Sequence, residues 1–313
     1  MRNGCGPFAA DIMKHLLPML FWIFPEGKGL YKLAWKYGVL PPNSLIKLKI
    51  TNQFRKRMGK RLNLEEPTTF NEKLQFIKLN LKHPMMPILS DKYRAREILA
   101  AKGLSGILVR LHGVYDKFDD IDFNALPDSF VMKVNHDSGG VFVIKDKTKA
   151  NFKEVGKRIT EKLKYPYIHG IINGEWQYLF ISPKIIIEEY LEDESGDLLD
   201  YKIHCFEGHP EFIHVDIDRF RNHTRKFYNT QWQPMDFTNR CPRSDINVKR
   251  PHNLERMLEV AKVLSCEFHC CRVDFYEVQK KLYFSEVTFF HANGMGKFEP
   301  EEYDIKFGEL IHL

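Results

Sequence analysis

An α+β fold is predicted by three features of the 313-residue sequence: a helical opening, a later series of short β-patterned runs, and helices and strands interleaved without the strict βα alternation of a parallel sheet. In the opening part, Thr69 and Glu72 form an S/T-x-x-E capping box, and Phe70, Leu74, Ile77 and Leu81 then recur at helical spacing. A further helix fits Asp91–Lys102, with Gly103 as its left-handed terminator. From Ile107 onward the pattern turns to strands. SFVMKVN (129–135) and VFVIK (141–145) flank HDSGG, a helical stretch follows over 152–163, and PKIIIEEYLEDE reads as a buried strand leaving into an acidic loop. DYKIHCF and EFIHVDID are two more strands around the turn signal E-G-H-P. NLERMLEVAKVL (253–264) is helical, with Asn253 placed as N-cap and Leu254, Met257, Leu258 and Ala261 on one face. CRVDFYEV and KLYFSEVTFF then flank QKK as a hairpin.

Composition narrows the function. With 43% hydrophobic and 28% charged residues and no low-complexity tract, the chain is built to fold. The net charge of +6 suits an anionic partner such as ATP, an acidic glycan or an anionic membrane surface. Its basic residues are scattered and no RNA-binding or zinc-finger motif accompanies them, which argues against nucleic acid. The six cysteines have no framework spacing, and CEFHCC lacks a second ligand pair, so these read as buried thiols near a strand start. The apolar run Leu16–Phe24 is too short to span a bilayer. Within residues 12–25 it suits either shallow contact with a membrane interface or a helix packed on the protein body. The protein reads as cytoplasmic, with membrane contact confined to the inner face.

Three stretches are candidates for chemistry. In SFVMKVNHDSGGVFVIKD, the pair Gly139 and Gly140 lets backbone N–H groups approach an anion, and Lys133 in the preceding strand adds a point charge. A plain Gly-Gly hairpin is the bland alternative. In KIIIEEYLEDE, the strand end Glu188-Glu189-Tyr190-Leu191 offers an apolar slot with acceptors for adenine, or else a core strand with solvated acids. In the hairpin, a turn centred on Lys280 sets Asp274 opposite Glu286 and Arg272 opposite Thr288 on one face. Like charges directly opposite destabilise a strand pair, so the arrangement favours a bound cation, and an all-oxygen site suits Mg²⁺ bridged to phosphates. A two-residue turn would shift the register by one and separate the acids.

In order, the words FNEKLQFIKL, DKYRAREIL, GVYDKFDDIDFNALPDSFVMKVNHDSGG, IIIEEYLEDE, DYKIHCFEGHPEFIHVDIDR, KFYNTQWQP, CRVDFYEVQKKLYFSEVTFF and GKFEPEEYDIKFGEL resemble the TupA-like branch of the ATP-grasp superfamily, from about Phe70 to the C-terminus. The resemblance implies two α+β subdomains closing on ATP, here over 91–187 and 188–313, after a mainly helical region over 1–90. It implies that Lys92 and Lys133 contact the nucleotide phosphates and that Asp137, Ser138, Gly139 and Gly140 form the loop over the triphosphate. Glu188 would accept from the adenine amino group, with Glu189, Tyr190 and Leu191 at the hinge and Asp200 near the ribose. Asp274 and Glu286 would hold Mg²⁺, with Mn²⁺ as a substitute, and Arg272 would steady the transferring phosphoryl group. Many ATP-grasp ligases carry E-x-N where this chain has Glu286-Val287-Thr288, and a Thr hydroxyl is a weaker metal ligand than an Asn carbonyl.

The activity implied is carboxylate–amine ligation through an acyl phosphate. The expected substrate is a uronic acid of a surface polysaccharide of capsule, O-antigen or teichuronopeptide type, or its precursor, amidated by an amino acid or other amine. The runner-up is a sugar kinase on the same site; a glycosyltransferase and a non-catalytic glycan-assembly protein stand further back. Asp216 and Asp218 are candidates to orient or deprotonate the amine, and Lys202, Arg219 and Lys297 to hold carboxylates. An ordinary structural ion pair suits each of these five equally well.

Overall fold

The structure, a computed structural model, describes residues 43–137, 139–164, 167–193, 198–218 and 222–313. Ser138, Arg219 and the segment 12–25 lie outside the described residues. Helices open the described chain: α1 (Asn43–Met58), α2 (Phe70–Asn80), α3 (Met85–Ser90) and α4 (Arg94–Ala101). The capping box forms as its sequence predicts. Thr69 Oγ1 accepts from Glu72 N, and the Glu72 carboxylate accepts from Thr69 N at 3.2 Å. The helix expected over 91–102 starts three residues late, because Asp91 Oδ1 accepts from the backbone N–H of Tyr93 and Arg94 and holds a turn there. Lys92 therefore sits in that turn, pinned by its N–H to Asn135 O at 3.1 Å.

Two antiparallel sheets follow, each with its own core. The first is ordered β1-β4-β2-β3, from β1 (Leu111–Tyr115), β2 (Phe130–Val134), β3 (Val141–Ile144) and β4 (Ile185–Glu189). Alternation along β2 puts Phe130, Met132 and Val134 into a cluster with Phe142, Ile185, Ile187 and Ile159 of α5 (Phe152–Leu163). Burying such a side chain stabilises by about 1.5–3 kcal/mol, which is why the β2 pattern survives a glycine-rich neighbour. The expected division between residues 187 and 188 falls inside β4, whose last two residues still pair with β1 and β2. A short helix, α6 (Ile168–Ile172), precedes that strand.

The second sheet is ordered β10-β9-β5-β6-β7, from β5 (Asp200–Phe206), β6 (His209–Ile217), β7 (Thr224–Asn229), β9 (Cys270–Val278) and β10 (Lys281–Thr288). A two-stranded ribbon pairs β8 (Thr238–Asn239) with β11 (Phe298–Glu299). Helix α7 (Leu254–Ser265) buries Leu254, Met257, Val260, Ala261 and Leu264 in the sheet's apolar core. Asn253 occupies its N-cap position, but the side chain does not cap; it donates instead to Glu277 Oε2 and Lys280 O. Asp218, expected in the same strand as Asp216, lies one residue past it at φ 52°. Helix α8 (Glu302–Glu309) closes the chain against α2, with Gly308 directly under the backbone of Thr68 and Phe70.

The hairpin resolves the register question in an unexpected way. Its turn has two residues, Gln279 and Lys280, both at positive φ, so Val278 faces Lys281 and Phe275 faces Phe284. That is the shifted register that would have separated the acids. A β-bulge between Phe284 and Glu286 then leaves Ser285 without a partner across the ladder and restores Asp274 opposite Glu286 and Arg272 opposite Thr288. The parity of β10 switches at the bulge: Leu282 and Phe284 enter the core before it, Val287 and Phe289 after it.

Candidate active site

One face of the five-stranded sheet gathers a block of charged and polar residues beside the aromatic residues Phe206, Phe212 and Phe227, and the register explains how it is assembled. Asp200, Lys202 and His204 alternate along β5 and point to the same side. Across the strands, Lys202 stands between His214 on β6 and Asp274 on β9, and Asp274 faces Glu286 on β10. His204 stands beside Arg272, which faces Thr288, and Asp200 stands between Asp216 and Tyr276.

Three acids and three bases neutralise one another here. Arg272 donates to both oxygens of Asp274, Nε at 2.7 Å and the second terminal nitrogen at 2.6 Å, and that terminal nitrogen also donates to Thr288 Oγ1 at 3.2 Å. Lys202 is buried between Asp274, at 3.0 Å, and Asp200. Lys92 pairs with Glu286 at 3.1 Å. Burial alone would raise the Glu286 pKa, but Lys92, Arg272 and Lys202 outweigh it and pull it down to about 2. Burial likewise opposes the Arg272 charge, and Asp274 beside it more than compensates, so the guanidinium stays firmly protonated.

The first sheet supplies a second charged group. Lys133 on β2 donates to Glu188 Oε2 on β4 at 2.6 Å, and Arg96 on α4 donates to Oε1 at 3.1 Å. Glu188 is thus the buried counter-ion of two bases. Lys92 links this sheet to the other: its Nζ also donates to the carbonyl of Asp137, in the loop between β2 and β3. The Asp137 carboxylate pairs with Lys162 of α5. Gly139 takes φ +91°, and a Cβ on Gly140 would lie 2.3 Å from Val134 Cγ2, so the loop requires both glycines.

The remaining expected residues are dispersed. Tyr190 donates to Glu192 and carries Lys145 over its ring, while Leu191 packs with Val109, Val278 and Tyr283. Glu189 is held by its backbone N–H to Arg110 O. Asp218 Oδ2 accepts from Asn222 N at 3.3 Å. Lys297 pairs with Glu299 at the surface, at 3.1 Å.

Several residues on this face carry no motif signal. Arg225 on β7 donates to Asp216 Oδ1 at 2.7 Å, and His223 Nε2 lies 2.9 Å from the same oxygen. Burial alone would raise the Asp216 pKa, but Arg225, with Lys202 and His223, holds it well below the usual carboxylate range. Beside them runs a buried row of histidines. His291 Nδ1 accepts from Arg272 at 2.7 Å, and His204 Nε2 lies 2.8 Å from His214 Nδ1. Burial, reinforced by Arg272 and Arg225, keeps His204, His214 and His291 neutral, their pKa values driven well down. The sequence displays the residue types alone; strand β7, which brings Arg225 alongside Asp216, has no clear signal in it.

The donor set can be tested against a divalent cation. Asp274, Glu286 and Thr288 offer oxygen donors only, as Mg²⁺ prefers. Among the described residues no group of three or more His, Cys, Asp or Glu side chains could hold a metal by itself. The set therefore suits an ion that completes its shell with phosphate oxygens and water. The CEFHCC cluster holds no such group either, and Cys270 and Cys271 are buried thiols whose pKa values burial pushes up.

Two antiparallel sheets, one carrying the glycine loop and the other the paired acids, define a protein of the ATP-grasp fold. The chain belongs to the TupA-like ATP-grasp family, whose sequence model matches residues 72–312. No curated protein matches it. Among solved structures it is similar to D-alanine–D-alanine ligase from Bacillus anthracis, at 18% identity and a TM-score of 0.38 over 68% of this chain and 59% of that one. It is also similar to an L-amino acid ligase from Bacillus licheniformis, at 15% identity and a TM-score of 0.42 over 86% and 58%. A D-cycloserine synthetase gives 12% identity and a TM-score of 0.40 over 87% and 81%. The chain spans under two thirds of the length of the first two.

Proposed function

We propose that the protein is an ATP-dependent carboxylate–amine ligase, with a uronic acid of a surface polysaccharide or its precursor as the carboxylate and an amino acid or other amine as the nucleophile. The observation that carries the reading is the cross-strand pair Asp274–Glu286, with Lys92 joining it to the Asp137 loop of the other sheet. A lysine that touches both a carboxylate of the pair and the glycine-rich loop supports the reading of a triphosphate bound between the sheets.

On this reading the two α+β subdomains are 91–187 and 188–313, with the helical region 1–90 outside them. Lys92 and Lys133 bind phosphates, the loop 137–140 covers them, and Glu188 to Leu191 border the base, with Asp200 towards the ribose. Arg272 holds its charge at the transferring phosphoryl group, where positioned cations stabilise the transition state. Mg²⁺ on Asp274, Glu286 and Thr288 would supply further charge neutralisation when bound with the nucleotide. Asp137 is tied to Lys162, and Gly140 lies against Val134; on this reading the loop would shield an acyl phosphate from water. The uronic acid and the amine rest on the family resemblance and on the basic net charge.

The test is a product analysis. ATP, Mg²⁺, uronic acid-containing glycans and amino acids should give ADP, phosphate and a glycan heavier by one amide. Phosphate retained on the sugar would make the protein a kinase instead, and absence of ATP binding would reject both readings.

A further inference from the structure

The amine of a ligation reaction arrives protonated at neutral pH and must lose that proton before it can attack. Asp216, the residue the sequence suggests for this task, is unsuited to it. Its Oδ1 is taken by Arg225 and His223, and the Arg225 charge holds it ionised. A carboxylate so stabilised is a poor proton acceptor.

Asp216 does, however, orient a better one. With Asp216 Oδ1 accepting at 2.9 Å, the proton of the neutral His223 ring sits on Nε2, and Nδ1 carries the lone pair. Cys241 Sγ lies 3.6 Å from Nδ1 and 3.9 Å from Nε2. A sulfur in line with the Nδ1 lone pair would be much farther from Nε2 than from Nδ1. Near-equal distances place it over the ring face or beside Cε1, off the in-line direction of Nδ1, and a third of the His223 side chain is exposed.

The location agrees. Asp216 shares a row and a face with Asp200, beside Lys202 and Asp274. Asp216 and Asp274 are two strand spacings apart and offset by two residues along the strands, about 12 Å between their backbones. That is the reach needed to pass from a metal-binding carboxylate, across a phosphoryl group and an acyl carbon, to an attacking nitrogen.

We propose that His223, held by Asp216, is the base that deprotonates the attacking amine; the proposal rests on the ligase reading. The step balances as follows. His223 Nδ1 takes one proton from the ammonium group, and the freed nitrogen pair forms the C–N bond. The bond from the acyl carbon to the phosphate oxygen breaks, and the departing phosphate carries away the second amine proton.

Hydroxylamine separates a base from a structural support, because it is unprotonated at neutral pH and needs no base. With ATP, Mg²⁺, glucuronate or galacturonate and hydroxylamine, the wild-type protein should form hydroxamate. His223→Gln should form it at an undiminished rate, yet lose about 100-fold or more in kcat when an amino acid is the nucleophile. Equal loss with both nucleophiles, or no loss with either, overturns the proposal. Cys241→Ser should retain both reactions; losing the amino acid reaction alone there would shift the role to the thiol and overturn it too. No hydroxamate from the wild-type protein would instead reject the ligase reading, and this proposal with it.

Discussion

Asp274 is nearly inaccessible to solvent, yet three positive hydrogen-bonding arms reach it, two from Arg272 and one from Lys202. Removing its charge strands both bases in a buried setting, whereas Glu286 faces Lys92 at a more open position. Asp274→Asn and Glu286→Gln are each expected to abolish carboxylate-dependent ATP turnover. Near-UV circular dichroism should show Glu286→Gln folded as wild type; measurable turnover in either variant would remove its residue from the metal role. A second expectation concerns order. Because the acids are already neutralised by side chains, Mg²⁺ should bind far more weakly alone than together with a nucleotide. Titration calorimetry with Mg²⁺, with and without a non-hydrolysable ATP analogue, would read the difference.

At the scale of elements, α2 illustrates what the sequence conveys and what it hides. The capping box and the stripe Phe70, Leu74, Ile77 are legible because they depend on residues within one helix. Its polar residues Asn71, Gln75 and Lys78 look solvent-facing and are instead buried. Asn71 and Gln75 grip the segment after β10, with Gln75 donating to Asn293 O and Gly294 O and Asn71 to Gly296 O. Lys78 donates to Asn293 as well, and burial lowers its pKa to about 8. Their partners lie more than 200 residues away in sequence, and no local pattern encodes that. The same helix start rests on α8 at Gly308, where a Cβ would lie 2.2 Å from Thr68 O. Gly308→Ala should therefore cost about 1–3 kcal/mol, read from urea unfolding, since backbone and not a pliable side chain must yield.

For the molecule as a whole, the fold class and the order of the charged residues could be read from sequence, while the pairing between sheets could not. Lys133 needed a partner, but that Glu188 and Arg96 complete it follows only from β4 lying between β1 and β2. Acid stability should reflect the web of pairs. Glu286 falls from an ordinary value of 4.5 to about 2 on folding, so its stabilisation is present above about pH 4.5 and is lost as pH drops towards 2. Asp216 acts in the same direction. Glu175 opposes them: burial lifts it to about 7, so its ionisation erodes stability as pH rises from 4.5 to 7. Calorimetric Tm should fall steeply below about pH 4.5, and Glu286→Gln should make that fall shallower; an unchanged slope would show that the pair does not contribute.

The unpaired Ser285 has a consequence for how this segment tolerates changes in length. Since Ser285 occupies a place with no counterpart on β9, a one-codon deletion there leaves every later residue of β10 with its present neighbour and its present side. Deleting Val287 would instead move Thr288 opposite Val273 and turn a hydroxyl into the core. A single-residue deletion scan across 282–288 should therefore show one permissive position amid intolerant ones, and related chains that vary in length along this strand should do so at that point.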